Sequence, residues 1–216
     1  MNLNKMNISP SKENILKKIR QALSESTPLP FSGTEGSGAV FNAATQEPEV
    51  EFAQHFTQLG GKFVYCINHQ ELASHLNNLV NHENWTKVFC QEPELKAILQ
   101  KNLFDNFCSS PLGDCDVALT TCELLVARTG SMVLTADSDS GRTVSVYAPV
   151  HICVAYAHQL VYDVKDALQA LKEKYGSKFP SFISFATGPS RTADIEKTLV
   201  VGVHGPKEVY CFLVDE

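Results

Sequence analysis

The chain has 216 residues, 44% apolar and 19% charged, with 24 acidic against 18 basic residues for a net charge of −6. That length suits one domain with its own core, and the acidic balance disfavours general nucleic-acid binding. No apolar run approaches the ~20 residues needed to span a bilayer, and the opening MNLNKMNISP holds no apolar signal core. The expectation is a soluble, cytoplasmic protein with no transmembrane segment.

From the N-terminus, Ser9 can cap a helix whose first position is Pro10, with Ile15, Leu16, Ile19 and Leu23 on one stripe and Lys17, Lys18 and Arg20 opposite. Residues 24–48, rich in Pro, Gly, Ser and Thr, read as a flexible linker, so residues 1–48 separate from an α/β domain at 49–216. Helix Val50–Leu59, strand Lys62–Ile67, helix Gln70–Val80, strand Thr86–Cys90, helix Pro93–Lys101 and strand Asp116–Leu119 alternate, which implies a mostly parallel sheet flanked by helices. Cys122–Ala127 reads as a short helical turn. Ser131–Thr135 and Thr143–Tyr147 read as the two arms of a β-hairpin. After the run Ile152–Ala155 come a helix at Val164–Tyr175 and strands at Phe182–Ala186 and Val209–Val214, the last apolar throughout and so expected to be buried on both faces. Asp137-x-Asp139-x-Gly141 is not a calcium loop, because its glycine comes one place early and position twelve would be Ala148.

The seven cysteines read as free thiols in a reducing compartment. Cys108, Cys115 and Cys122 recur every seven residues, but no CxxC pair exists from which to draw a zinc site or an iron–sulfur cluster. Cys66, Cys90, Cys153 and Cys211 lie in apolar runs, as small buried hydrophobes do. Neither metal nor cofactor is therefore expected on this chain.

Only four residues are arginine, and Arg128, Arg142 and Arg191 each stand beside Gly, Ser or Thr at an element end. A guanidinium fork matches carboxylate and phosphate oxygens, so these positions are either parts of an anion site or ordinary surface arginines. Gly188, Pro189, Ser190, Arg191 and Thr192 follow a strand, with Ser190 or Thr192 placed to cap a short helix bearing Asp194 and Glu196. The amides of that helix start would face the carboxyl edge of the sheet, where open α/β folds bind ligands. The alternative is a plain capped turn. His204, between Gly202 and Gly205, is either a general acid–base group or a structural histidine, and His151 after Pro149 would reach the same edge. Thr129, Gly130 and Ser131 offer hydroxyls and amides to an anion but lack the glycine spacing of a phosphate or dinucleotide loop. Neither G-x-G-x-x-G nor G-x-S-x-G occurs.

The stretch Gly188-Pro189-Ser190-Arg191-Thr192-Ala193-Asp194-Ile195-Glu196, followed by Gly202-Val203-His204-Gly205-Pro206, resembles the signature of the LUD domain family, closest to its lactate utilization protein C group. Ile15–Arg20, the Thr129-Gly130 strand start and Pro149-Val150-His151-Ile152 fit it as well. The family usually carries a carboxylate just before the Thr-Gly pair, where this chain has Arg128. The resemblance implies a fold similar to the sugar-phosphate isomerase, CoA-transferase and formyltetrahydrofolate cyclo-ligase superfamily. It also implies a part in oxidation of L-lactate to pyruvate with iron–sulfur partner proteins, which would hold the electron-carrying clusters. Two functions follow as expectations. One is a non-redox subunit that binds a small anionic metabolite. The other is a stand-alone enzyme acting on a phosphorylated or carboxylate metabolite. A homo-oligomer is compatible with either.

Overall fold

Alternation along the C-terminal strand sets the layering. In Glu208–Val214, Tyr210, Phe212 and Val214 face one side of a sheet and Val209, Cys211 and Leu213 the other, and all six are buried. That is the period of two in a strand covered on both faces. The computed structural model describes residues 10–24, 46–193 and 199–216. Its first half comprises α1 (Pro10–Ser24), α2 (Pro48–Gln58), β1 (Lys62–Cys66), α3 (His69–His82), β2 (Val88–Cys90), α4 (Pro93–Lys101) and β3 (Val117–Thr121). Then come β4 (Leu124–Val126), β5 (Ser131–Thr135), α5 (Val144–Tyr147), β6 (Val150–Tyr156), β7 (Leu160–Val161) and α6 (Val164–Tyr175). β8 (Ile183–Ala186), β9 (Arg191–Ala193), β10 (Leu199–Val201) and β11 (Glu208–Val214) complete the chain.

The described residues fall into two units, divided between Ala43 and Ala44. In the first, α1 leaves Ile15 and Ile19 exposed along with Lys17, Lys18 and Arg20. The Ser9 cap and residues 25–45 of the expected linker lie outside the described residues; Pro48, assigned above to the linker, opens α2.

In the second unit five strands form a fully parallel sheet in the order β1-β11-β6-β3-β2. α3 and α4 cover one face, where Leu72, Leu76, Leu95 and Leu99 meet Ile152, Phe212 and Val214. Burying each such side chain stabilises the fold by about 1.5–3 kcal/mol. On the other face, α2 (Phe52, Phe56) and a second sheet ordered β7-β4-β5-β8 pack against Cys153, Cys211 and Leu213. The far side of the second sheet receives α6, through Val126, Val133, Ala167 and Leu171. The α/β class, the parallel central sheet and its flanking helices are thus as expected.

Three local expectations are corrected. Cys122–Ala127 is not helical: Leu124–Val126 pairs with β5 and β7, and a 3₁₀ turn begins only at Ala127. The Ser131–Thr135 and Thr143–Tyr147 hairpin does not form. β5 pairs with β4 and β8, while Val144–Tyr147 is a single helical turn, which places Val144 and Ala148 together in a small cluster with Ala118. Packing at that i,i+4 spacing outweighs the strand propensity of the two valines. Finally, no helix starts at Ser190 or Thr192, because Arg191–Ala193 is a strand paired antiparallel with β10.

Candidate functional site

Beyond β8 the backbone turns at Gly188, whose φ of +136° disfavours any side chain, and a Cβ there would stand 3.0 Å from the Leu59 carbonyl oxygen. The turn brings Ser190 against the Gly202–Pro206 segment. The Ser190 amide donates to the Pro206 carbonyl (2.9 Å), and the Gly202 amide donates to the Ser190 carbonyl (2.9 Å). Gly205 is needed for this approach, since a Cβ would meet the Ser190 Cβ at 2.9 Å. The Lys207 amide then donates to the Pro149 carbonyl (2.8 Å), just before β11 and β6 begin side by side. The motif therefore stands at the amino edge of the parallel sheet. This corrects the expected carboxyl-edge position, and among the described residues no helix starts here to offer its amides to an anion.

At this edge lies a recess of about 500 Å³, walled by Val146–Pro149 on one side and by Gly202–Gly205 with Lys207 on the other. His204 and Lys207 are both exposed, and the Tyr147 side chain is 66% exposed. Among the described residues no carboxylate belongs to the lining. Two basic side chains, a phenol and a glycine-rich backbone can accept a small carboxylate anion by charge-assisted hydrogen bonds.

The remaining candidates are placed elsewhere. The Arg191 Nη2 donates to the Leu59 carbonyl, so its guanidinium braces the turn after α2. Arg142 donates to the Ser181 hydroxyl (2.6 Å) and lies over the Phe182 ring. Arg128 makes a two-point pair with Asp163 (3.0 and 3.1 Å), and that hydrogen-bonded partner holds the Asp163 carboxyl below its ordinary range. The Thr129 and Ser131 hydroxyls hydrogen-bond each other at 2.7 Å. Gly130 lets the backbone of α2 pass: a Cβ would lie 2.4 Å from the Phe56 nitrogen. His151 is 1% exposed within β6, its Nε2 2.9 Å from the Thr120 hydroxyl. Burial pushes its pKa down to about 4, so the ring is neutral and does not reach a sheet edge. Thr192 is half-buried in β9, and Pro189 packs beside Gly60. Asp194 and Glu196 lie outside the described residues.

Reading the sequence missed a second cavity of about 500 Å³ at the carboxyl edge, lined by Glu92, Glu94, Glu123, Asp137, Asp139 and Lys174 among others. The Glu92 carboxylate is saturated by the Thr121 amide and hydroxyl and the Ser140 hydroxyl (2.6 Å). Glu123 accepts from Thr135, Lys174 (2.6 Å) and Tyr175 (2.5 Å). Burial alone would raise its pKa, but these donors outweigh burial and hold the carboxyl below its usual range. Five carboxylates against one lysine repel an anionic metabolite. The available signal was the placement of Glu92 and Glu123 immediately beyond two parallel strands.

Three comparisons bear on identity. A 103-residue stretch is 36% identical to lactate utilization protein C of Bacillus licheniformis, covering 47% of this chain and 43% of that protein. The corresponding protein of Bacillus subtilis is also 36% identical over 103 residues, with the same coverage of both chains, and that of a Geobacillus species is 38% identical over 103 residues, 46% of this chain and 43% of that one. The match thus spans less than half the length of these curated relatives. The crystal structure of a DUF162 family protein from Deinococcus radiodurans superposes with a TM-score of 0.58 at 21% identity, covering 77% of this chain and 96% of that one, which speaks for the fold alone. The LUD domain family model matches residues 50–214, which is most of the chain, and the chain belongs to the LUD domain family.

Proposed function

We propose that this chain serves lactate utilization as a non-redox subunit that binds a small 2-hydroxy- or 2-oxo-carboxylate in the amino-edge recess and works with iron–sulfur partner proteins. The observation that carries the reading is that the Gly202–Pro206 segment lines a recess presenting His204 and Lys207, with no carboxylate among its described lining residues. Lys207 supplies the charge that attracts the carboxylate. His204 donates a hydrogen bond to the 2-oxygen, and when neutral it can accept the proton of a 2-hydroxyl. Among the described residues no three His, Cys, Asp or Glu side chains stand where they could share a metal ion. The naming of the relatives supports the substrate class.

The test is lactate-dependent dye reduction. The purified chain should be inactive alone and active when combined with its iron–sulfur partners, and Lys207→Gln should raise the lactate concentration needed for half-maximal rate five-fold or more. Dye reduction by the isolated chain, or an unchanged requirement in Lys207→Gln, would contradict the proposal.

A further inference from the structure

The segment between α4 and β3 carries two thiols in contact. The Cys108 and Cys115 sulfurs are 3.4 Å apart, within a small side-chain adjustment of the ~2 Å bond of a disulfide. Both ends of the segment are pinned to β2 and the residues before it. The Cys108 amide donates to the Val88 carbonyl (2.9 Å), and Asp116, next to Cys115, accepts from the Thr86 and Lys87 amides (2.9 and 3.0 Å). Bonds at Cys108 and beside Cys115 thus tie both ends of the segment to the same stretch of chain. Of the seven cysteines, Cys108 alone is not buried.

We propose that Cys108 and Cys115 are a redox modification site, joined by a two-electron oxidant of the peroxide class into a reversible disulfide that stiffens the support of the amino-edge recess. Cys108, the accessible thiol, attacks as thiolate. The peroxide O–O bond breaks, hydroxide leaves and becomes water, and Cys108 becomes a sulfenic acid. Cys115 then attacks that sulfur, the S–O bond breaks, and the departing hydroxide takes the Cys115 proton as a second water. Two thiols and one peroxide give one disulfide and two waters. Burial pushes the Cys115 thiol up to about 11, so Cys115 is the poorer first nucleophile and the half-buried Cys108 meets the peroxide.

The consequence travels through Leu112. It lies between the two cysteines in sequence and packs against the cluster of Val144, Ala148 and Ala118. Val144 opens α5, and Val146, Tyr147 and Ala148 wall the recess. A loop this short constrains the unfolded chain less than a long one would, and in the folded protein the stiffening centres on this segment and its neighbours.

The test treats the full chain with hydrogen peroxide and maps alkylated and cross-linked peptides by mass spectrometry, alongside amide hydrogen exchange. The expected result is a Cys108–Cys115 cross-link two hydrogens lighter, reversed by dithiothreitol, retained in Cys122→Ser and absent in Cys108→Ser. Exchange at residues 144–148 should slow several-fold on oxidation in the wild type and stay unchanged in Cys108→Ser. If Cys115 remains open to alkylation after oxidation and denaturation, the site does not exist. A cross-link that leaves exchange at 144–148 unaltered overturns its connection to the recess. Neither measurement uses lactate or pyruvate, so failure here is distinguishable from failure of the proposed function.

Discussion

Buried in β6 against the Thr120 hydroxyl, His151 stays neutral well below the pH at which a free imidazole charges. The folded state therefore binds fewer protons than the unfolded chain between pH 6.5 and about 4, and stability must fall as pH drops through that window. The loss should approach about 3 kcal/mol from this residue, at 1.36 kcal/mol per pKa unit. Denaturant melts at pH 7 and pH 4.5 should show it, and His151→Asn should flatten the slope. A His151→Asn slope identical to the wild type would place the acid sensitivity elsewhere. Pro149-Val150-His151 by itself leaves open whether the imidazole lies at the rim or in the core. Its burial depends on β3 and β11 flanking β6, which a local sequence does not carry. The arginines behave alike: Asp163, Ser181 and Leu59 are 35, 39 and 132 residues away from the side chains they receive.

At the scale of elements, periodicity made most of the molecule legible. α6 was expected and found at Val164–Tyr175, and β11 was expected as a strand buried on both faces. Misreadings cluster where an element is three or four residues long and its neighbours decide: β4, α5 and β9. The β8–β9 turn is a sharp test, because Gly188 combines a left-side φ with close approach to the Leu59 carbonyl. Gly188→Ala should cost about 1–3 kcal/mol, the scale of a strained backbone residue, and lower the melting temperature accordingly. An unchanged melting temperature would mean that the turn is not held against α2 as described.

For the whole molecule, the parallel sheet presents two edges of opposite character. The carboxyl edge is rich in carboxylates, several already saturated by hydroxyls, amides and Lys174. The amino edge gathers the Gly202–Pro206 segment around a recess with a lysine, a histidine and, among the described residues, no acid. The motif residues were recognisable in the sequence, but their edge was not, because it depends on Lys207 meeting Pro149 and on β9 being a strand. The proposed function places a small carboxylate at that amino edge. Isothermal titration of L-lactate and pyruvate into the wild type, Lys207→Gln and Glu123→Gln tests it most directly. Binding to the wild type is expected, weakened five- to two-hundred-fold in Lys207→Gln (about 1–3 kcal/mol for a charged hydrogen bond left unmade) and little changed in Glu123→Gln. Binding that survives Lys207→Gln undiminished, or that responds to Glu123→Gln instead, would contradict it.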